Sequence, residues 1–276
     1  MIAPDHPVDI SAVHPPLRPR KSLGQCFLTD RRIAEKIVGL ADVTREDRVV
    51  EIGPGRGILT RLLAERAGEL TAVELDSRWH AALQAEFGQT AHVRVVHADA
   101  LTYRFEDLAS PFKVVANLPY YLSTPILFRL LGLRGRVGLM VLMLQREVVD
   151  RLVARPHTKA YGALSVMVAY AAEVRKGFTV APGSFHPRPA VHSAVVTIAP
   201  RPSPAIAVRD EAVLIPLVRA AFAHRRKMLA NALKDEGFDA ARLEAALRKA
   251  EIDGTRRGET LDLGEFGRLA DALVEA

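Results

Sequence analysis

A short apolar run in the middle of the chain ends on residues that can bind an aromatic amine. The run "VVAN" ends at Asn117, and Leu118, Pro119, Tyr120 and Tyr121 follow it. Two oxygens can accept hydrogen bonds from the two N–H groups of an amine on a planar base. One is the Asn117 side-chain oxygen, and the other is a backbone carbonyl near Leu118 or Pro119. The Tyr120 ring can stack on such a base. The alternative interpretation is a plain turn with two core tyrosines.

A glycine-rich turn is the second candidate for chemistry. "VVEIGPGRGILT" places Gly53, Gly55 and Gly57 between a predicted strand and a predicted helix, in an E-x-G-x-G-x-G pattern that starts at Glu51. Glycine lets the backbone turn sharply and approach a ligand closely. The dinucleotide fingerprint G-x-G-x-x-G fails at its third glycine, where this chain has Ile58, so a dehydrogenase is disfavoured. The turn resembles the loop of S-adenosylmethionine (SAM) dependent methyltransferases.

Acidic residues end the two strands predicted after this loop. Glu74 closes "ELTAVE", where a carboxylate can accept both hydroxyls of a ribose, and Asp99 follows "VRVVHA", where it can accept from an adenine amino group. Alone, Asp99 could equally cap a helix. Because the carboxyl ends of parallel strands meet at one edge, we expect Glu74, Asp99 and Asn117 around one crevice. Beside such a loop, the Asn117 segment resembles the [N/D]-x-P-[Y/F] motif of N6-adenine and related amino methyltransferases.

The elements that must position these residues alternate along the chain. Short apolar runs predict strands at "DRVVEIG", "ELTAVELD", "VRVVHADAL", "FKVVANLPYYL" and "GLMVLMLQ", with helical periodicity between them. This order predicts a parallel, doubly wound α/β sheet, with "AEVRKGFTV" and "HSAVVTIAP" pairing antiparallel at its edge. Helical periodicity follows the proline-rich break at 200–208. The predicted division is a disordered tail at 1–19, a SAM-binding catalytic domain at 20–202 and a helical domain at 203–276.

Charge and composition narrow the class of protein further. The chain of 276 residues has a net charge of +6, and residues 203–276 carry 12 basic and 13 acidic residues, which leaves +7 on the rest. This excess suits a polyanionic substrate, or is an ordinary basic surface. The longest strongly apolar run, Val137–Leu144, is too short to span a bilayer. A single cysteine, Cys26, suits a reducing cytoplasm, and the N-terminus lacks the apolar region of a signal peptide.

Motifs from about Arg20 to the C-terminus are similar to those of the bacterial small-subunit (16S) rRNA adenine N6,N6-dimethyltransferases. They occur in order as "RKSLGQCFL", "EIGPGRGILT", "VELD", "ADAL", "NLPYYLSTPIL", "MLQREVVDRL", "YGALSV", "FHPRPAVHSAVV" and "AAFAHRRKMLANAL". The resemblance implies a class I SAM-dependent methyltransferase (Rossmann-like) sheet with a small all-helical C-terminal domain. It implies dimethylation of two adjacent adenosines in a hairpin loop near the 3′ end of 16S rRNA. The substrate would be the assembling 30S subunit, and the enzyme a cytoplasmic monomer without metal or membrane attachment.

The same resemblance assigns roles to individual residues. The cofactor contacts that it implies are Cys26, Leu28, Gly53, Gly55, Glu74, Leu75, Asp99, Ala100 and Asn117. The catalytic residues that it implies are Asn117, Leu118, Pro119, Tyr120 and Phe185. Phe185 would sandwich the target base against Tyr120, or is instead a core residue before a turn. Cys26 departs from the family, which has an asparagine there, and a thiol is a poorer hydrogen-bond partner than an amide.

Three consecutive basic residues, Arg225, Arg226 and Lys227, are called the basic step here and are predicted to lie on a C-terminal helix. The resemblance implies that they contact RNA. The alternative is that they form a solvated face. Two rival functions remain open. One is the 23S rRNA adenine methyltransferase of macrolide resistance, although "YGALSV" and "FHPRPAVHSAVV" favour the small-subunit enzyme. The other is a ribosome-assembly or RNA-binding factor that has lost catalysis, against which the intact Glu74, Asp99 and N-L-P-Y run argue. No cluster of cysteine and histidine predicts a metal site.

Overall fold

A computed structural model of the chain describes residues 17–20 and 23–275. Most of the predicted disordered tail, residues 1–16, lies outside the described residues. The strands are β1 (Phe27–Leu28), β2 (Arg48–Ile52), β3 (Glu69–Glu74), β4 (Val93–His97), β5 (Phe112–Asn117), β6 (Val137–Gln145), β7 (Ala172–Val180), β8 (Phe185–His186) and β9 (Ser193–Pro200). The helices are α1 (Arg31–Ala41), α2 (Ile58–Ala64), α3 (Ser77–Phe87), α4 (Ser123–Gly132), α5 (Arg146–Leu152), α6 (Ala163–Ala171), α7 (Glu211–Ala223), α8 (Leu229–Asp235), α9 (Ala240–Lys249) and α10 (Leu263–Glu275).

Seven of the strands form one mixed sheet in the order β4-β3-β2-β5-β6-β9-β7, and β1 pairs with β8 in a separate two-stranded sheet. Strands β2 to β6 pair in parallel, and β9 runs antiparallel to both β6 and β7. The α/β fold class and the antiparallel edge pair predicted from the sequence are both confirmed. Strands β2, β3 and β4 follow one another toward one edge of the sheet, and β5 and β6 follow one another toward the other edge. The strand order therefore reverses between β2 and β5. Such a point opens a crevice at the carboxyl ends of the strands.

Alternating side chains of the strands pack against helices on both faces of the sheet. On one face Val49, Val115 and Val141 pack in a core shared with α1, α2 and α3. On the other face Val50, Val114 and other strand residues pack in a core shared with α4 and α6. Because both faces are covered, the central strands read as nearly continuous apolar runs, which is why their positions were predictable.

The four C-terminal helices form their own buried cluster, which also includes Tyr161 and, from α6, Val166 and Tyr170. Helix α6 was not predicted, because "ALSVMVAYA" is apolar on every side and has no helical period. Its opposite sides pack into the sheet core through Leu164 and into the C-terminal cluster through Val166. A boundary between two domains at residues 202 and 203 stays a prediction. Within the described residues, no helix is long and apolar enough to cross a membrane.

The prediction that the basic step lies on a helix is wrong. Helix α7 ends at Ala223, the backbone leaves helical geometry at His224, and Arg225 to Lys227 form the turn that leads to α8. The next helix begins at Leu229, whose N–H donates to the Arg256 carbonyl across the cluster. The turn contains neither glycine nor proline, so the sequence carries no stop signal there and the two helices read as one.

Candidate active site

A cleft opens at the carboxyl ends of β2, β3 and β5, where the strand order reverses. It encloses about 830 Å³ of empty space, which includes the open solvent at its mouth. The predicted site residues that line it are Cys26, Gly53, Gly55, Glu74, Leu75, Asp99, Ala100, Asn117, Leu118, Pro119, Tyr120 and Phe185. The fold therefore brings together groups that are up to 159 residues apart in sequence, from Cys26 to Phe185.

The glycine loop is closed on its outer side by an aromatic ring that sequence reasoning missed. A Cβ atom built on Gly55 would lie 2.6 Å from Cε1 of Phe27, and Gly55 has φ +53°. The Phe27 ring is held in turn by an edge-on contact with Trp79, with 5.0 Å between ring centroids, and by the Arg56 guanidinium 5.3 Å from its centroid. Only glycine fits between this ring and the loop. The aromatic in "GQCFL" was the available signal.

Glu74 joins the glycine loop to the end of β3. Its side chain is buried, with Oε2 accepting from the Gly55 N–H at 2.9 Å and Oε1 accepting from the Asp76 N–H at 2.8 Å. Burial raises the pKa of the Glu74 carboxyl, and these N–H groups oppose the rise because they stabilise its charge. Each carboxylate oxygen has lone pairs beyond the one used here. Glu74 can therefore accept further hydrogen bonds from a ligand in the cleft.

The segment after β4 supplies a second carboxylate and an apolar wall. Asp99 Oδ1 accepts from the Leu101 N–H at 2.8 Å, which fixes a turn at residues 100–102; no helix begins there, so the helix-cap alternative is wrong. The other oxygen, Oδ2, has no hydrogen bond to any of the described residues, so fixing the turn and binding a ligand are compatible. Ala100 is buried beside Asp99, whereas the Leu75 side chain is 41% exposed at the cleft. An apolar surface next to a free carboxylate oxygen suits a planar heterocycle with an exocyclic amine.

The Asn117 amide is oriented by the segment that precedes β1. Its Nδ2 donates to the Cys26 carbonyl at 3.2 Å, and only the amide nitrogen can donate to that oxygen. The side-chain oxygen of Asn117 therefore has a fixed direction, and no described residue donates to it. Of the two backbone carbonyls considered in the sequence, that of Pro119 accepts from the Leu122 N–H at 3.0 Å. No hydrogen bond from the described residues reaches the Leu118 carbonyl.

Tyr120 is held by a buried serine that sequence reasoning missed. Its hydroxyl lies 2.8 Å from the Ser193 hydroxyl, at the start of β9, and Ser193 is fully buried. Burial raises the pKa of the Tyr120 hydroxyl, Ser193 lowers it, and the nearby Cys26 raises it again. The tyrosine therefore remains a neutral ring rather than a base. Ser193 lies in the quoted "HSAVV", and a serine opening a buried strand was the available signal.

Phe185 lines the same cleft but is 5% exposed, and it also belongs to the core around α1. It lies in β8, which pairs antiparallel with β1 in the register Leu28 to Phe185. Both interpretations from the sequence, core residue and cleft residue, thus describe part of its position. Leu28 itself does not line the cleft, because its side chain is buried in the core, so a cofactor contact from Leu28 would have to come from its backbone.

Asp76 anchors the segment that covers one side of the cleft, a role that sequence reasoning also missed. Its buried carboxylate accepts from Gln25 Nε2 at 3.0 Å and from Arg78 Nη2 at 2.6 Å, and Arg20 lies 3.9 Å away. The Arg78 side chain holds the pKa of Asp76 far below its usual range. Asp76 follows Glu74 in "VELD" by two residues. One carboxylate thus faces the cleft, and the other fastens the wall formed by Leu23 to Phe27.

Cys26 lies at the cleft, whereas the basic step lies outside it. Cys26 lines the cleft, but its contact with Asn117 uses the backbone carbonyl, so a thiol in place of an amide leaves that contact unchanged. Burial raises the pKa of the Cys26 thiol, which disfavours a nucleophilic thiolate. Arg225, Arg226 and Lys227 do not line the cleft. No group of three or more metal-binding side chains occurs in the part of the chain that the structure describes.

Glu51, behind the glycine loop, gives a prediction about stability. Its side chain is buried, Oε2 has no hydrogen-bond partner among the described residues, and burial raises its pKa to about 8. Between the ordinary value of 4.5 and about 8, the folded protein holds a proton that the unfolded chain releases. The free energy of unfolding should therefore fall as pH rises through this window, by at most about 1.4 kcal/mol per pH unit. Urea unfolding at pH 5, 6, 7 and 8 should show that the free energy of unfolding falls less steeply with pH in Glu51→Gln than in the wild type. The variant should also be more stable than the wild type at pH 8.

The control for this prediction is Glu46→Gln, which removes the same charge from an exposed position near the start of β2. It should leave the pH dependence of unfolding as in the wild type. If Glu51→Gln and the wild type show the same slope, Glu51 is ionised in the folded protein and the buried proton is absent.

Comparisons with known proteins point to one family. The family model described as "Ribosomal RNA adenine dimethylase" matches residues 17–272. The protein named ribosomal RNA small subunit methyltransferase A of Geobacter metallireducens is 45% identical over 265 residues, covering 94% of this chain and 96% of that relative. The protein of the same name from Pelotomaculum thermopropionicum is 47% identical over 275 residues, covering 94% and 93%.

Solved structures give the same result for the fold. A dimethyladenosine transferase from Plasmodium falciparum aligns with a TM-score of 0.76 at 26% identity, covering 88% of this chain and 95% of that one. The 23S rRNA methyltransferase ErmE aligns with a TM-score of 0.68 at 27% identity, covering 90% and 99%. These similarities confirm the predicted class I methyltransferase fold.

Proposed function

The chain belongs to the ribosomal RNA adenine dimethylase family, and from this premise we propose that it transfers methyl groups from SAM to N6 of two adjacent adenosines. The adenosines lie in a hairpin loop near the 3′ end of 16S rRNA, and the enzyme acts on the assembling 30S subunit as a cytoplasmic monomer. The observation that carries the proposal is the Asn117 amide. Its oxygen is directed by the Cys26 carbonyl and accepts from no described residue, and it lies beside a glycine loop at the point where the strand order reverses.

The residues of the cleft fit SAM. The absence of a side chain at Gly55 leaves a cradle against the Phe27 ring, which a Cβ atom would fill. Glu74 would accept from the ribose hydroxyls, Asp99 Oδ2 would accept from the adenine amine, and Leu75 and Ala100 would flank the ring. When bound, SAM supplies a methyl group activated by its sulfonium centre. No metal is needed to activate that group, and the described residues take part by binding and orientation.

At the other end of the cleft, the chain orients the attacking amine. The lone pair of an aromatic amino group is delocalised into its ring, and acceptors on both N–H bonds help to localise it on nitrogen. Asn117 Oδ1 and the free Leu118 carbonyl would be these acceptors, while Pro119 contributes no N–H and stiffens the turn. Tyr120, fixed by Ser193, would stack on the flipped base, and Phe185 would limit its other side. Solvent would take the proton afterwards.

The basic step is proposed to bind rRNA phosphates, and its three members differ in how free they are. Lys227 is paired with Asp235, and Arg225 lies 3.6 Å from Glu259 and donates to the Lys159 carbonyl at 2.8 Å. Arg226 is exposed and has no ion pair among the described residues. A nearby carboxylate partly neutralises the charge of a paired cation and so weakens its attraction for a phosphate, which makes Arg226 the best placed of the three.

Replacing Arg225, Arg226 and Lys227 with alanine should weaken 30S binding and flatten its salt dependence. Each neutralised phosphate contributes about 0.7–0.9 unit to the slope of log affinity against log salt, so the triple variant should lose up to about three units. Arg226→Ala alone should account for the largest single share. Binding is measured at several salt concentrations, with SAM calorimetry to verify the cleft.

Arg94→Ala is the matched control, because Arg94 is exposed and lies on the edge strand β4. The slope of log affinity against log salt for Arg94→Ala should equal that of the wild type. If the triple variant also keeps the full slope, the step is a solvated face with no part in RNA binding.

The proposed function is tested on ribosomal particles from cells that lack this gene. The purified enzyme and labelled SAM are added to immature 30S and to 50S particles, and nucleosides from each rRNA are identified by mass spectrometry. We expect N6,N6-dimethyladenosine at two neighbouring positions of 16S rRNA. Methylation of 23S rRNA would instead favour the function of the ErmE relative, and SAM binding without methylation of either particle would favour an assembly factor that has lost catalysis.

A further inference from the structure

The two tyrosines that follow Pro119 occupy opposite environments, although they are neighbours in sequence. Tyr120 is half-buried and its hydroxyl is bonded to Ser193. Tyr121 is 54% exposed, more than any other large apolar residue that the structure describes. The role proposed for Tyr120 leaves the second ring unexplained, and both rings line the same cleft.

The Tyr121 ring is exposed but not loose. A Cβ atom built on Gly24 would lie 3.2 Å from both Cδ1 and Cε1 of Tyr121, so one edge of the ring rests on the backbone of the segment before β1. Gly24 has φ +57°, a conformation that glycine adopts without strain. Asp76 fastens this segment through Gln25, the next residue. The ring is therefore supported on one edge and open to solvent elsewhere, and no described residue bonds to its hydroxyl.

The position of this ring matches a requirement of the substrate. Consecutive Cα atoms are about 3.8 Å apart, so Tyr121 lies immediately beside the residue proposed to stack on the target base. The cleft holds one Asn117 amide, and only one of two adjacent adenosines can use it at a time. The neighbouring nucleotide must lie outside the cleft yet close to its mouth. Unpaired RNA bases bind exposed aromatic rings by stacking, and tyrosine offers such a surface at little entropic cost.

We propose that Tyr121 stacks on the nucleotide adjacent to the target adenosine and holds the unoccupied member of the pair at the mouth of the cleft. This inference rests on the proposed function, because it presumes an RNA substrate with the target base flipped out. It assigns Tyr121 to substrate binding, not to the transfer step. The aromatic ring of Tyr121, and not its hydroxyl, makes the contact with the nucleotide.

Three variants separate stacking from packing. Tyr121→Ala removes the ring, Tyr121→Leu keeps an apolar side chain against Gly24 but has no aromatic face, and Tyr121→Phe keeps the ring without the hydroxyl. Phe128→Ala is the matched control, because Phe128 is 37% exposed on α4 and does not line the cleft. For each variant we would measure the SAM Kd, and kcat and KM on undermethylated 30S particles. Mass spectrometry would give the share of particles methylated at only one adenosine.

Tyr121→Ala and Tyr121→Leu should raise the KM for the particle about tenfold, equivalent to about 1.4 kcal/mol. Both should increase the singly methylated share, with kcat and SAM Kd within twofold of the wild type. Tyr121→Phe should restore most of the loss. A wild-type KM in Tyr121→Leu would overturn the proposal in favour of packing on Gly24, and a defect in Tyr121→Phe equal to that of Tyr121→Ala would overturn it in favour of the hydroxyl. An equal rise in Phe128→Ala would also overturn it.

The failure of the proposed function gives a different result. Wild-type enzyme is first assayed on 30S and 50S particles, and the series is then run on whichever particle it methylates. Methylation of 50S alone rejects the 16S substrate, while the ratio of variant to wild-type KM still tests Tyr121. If the wild type methylates neither, filter binding of the variants to both particles replaces the KM, and unchanged binding by Tyr121→Ala counts against the inference.

Discussion

Asn117→Ala should lower the rate of methyl transfer to 30S particles by roughly 10²–10³-fold, the scale of losing one preorganised hydrogen-bonding group in an active site. The amide oxygen is the acceptor proposed to orient the target amine, and alanine has none. The fold should persist, because the side chain makes one hydrogen bond to the described residues, to the Cys26 carbonyl, with a typical net worth of about 1 kcal/mol. Single-turnover rates measure the transfer step, and SAM calorimetry with thermal unfolding verifies that the variant is folded and loaded.

Asn117→Asp distinguishes the two ends of the amide. Aspartate keeps an acceptor for the target amine but cannot donate to the Cys26 carbonyl, so it should transfer methyl groups faster than Asn117→Ala and slower than the wild type. Equal rates for the two variants would assign the effect to the lost donor, and turnover near the wild-type rate in Asn117→Ala would remove Asn117 from the mechanism.

The strands and the ends of the strands were predictable because their signals are local. Apolar runs such as that before Asn117 are continuous where helices cover both faces of a sheet, and glycines or acids interrupt them at the carboxyl ends. Parallel pairing then requires those ends to meet at one edge. This is why Gly53, Glu74, Asp99 and Asn117, found one by one in the sequence, line a single cleft.

The parts that escaped prediction depend on contacts between distant segments. Strands of two residues, such as Phe27–Leu28, have no periodicity, and they exist because Leu28 pairs with Phe185. Ser193 reads as one more polar residue at a strand start until Tyr120 is placed against it. The same applies to Asp76, whose partners Arg20 and Gln25 lie more than 50 residues earlier.

The glycine loop was predictable from the sequence only in part. Its pattern predicted a close approach of the backbone to a ligand, and the loop does line the cleft. The neighbour that demands the absence of a side chain at Gly55 is, however, the Phe27 ring, which belongs to a segment that no local pattern places there. Gly55 is thus required both by its own φ and by a ring that forms part of the cleft wall, and these two requirements can be separated by mutation.

Gly55→Ala should weaken SAM binding by at least about tenfold, or 1.4 kcal/mol. The new Cβ would lie 2.6 Å from Phe27 Cε1, so the ring must leave its contact with Trp79 or the loop must move. Moving the loop displaces the N–H that donates to Glu74 Oε2 at 2.9 Å, and moving the ring disturbs the wall. Alanine at φ +53° also costs about 1–2 kcal/mol of stability. Calorimetry with SAM and urea unfolding measure the two effects.

Gly135→Ala isolates the second effect, because Gly135 has φ +76° and a Cβ there would meet nothing within 4 Å. This control should lose a similar amount of stability from backbone strain while its SAM affinity stays that of the wild type. Combining Gly55→Ala with Phe27→Leu should recover part of the lost affinity, since a smaller side chain makes room for the Cβ atom. If Gly55→Ala matches Gly135→Ala in both measurements, the loop tolerates a side chain at this position. The close approach of the Phe27 ring would then have no part in binding.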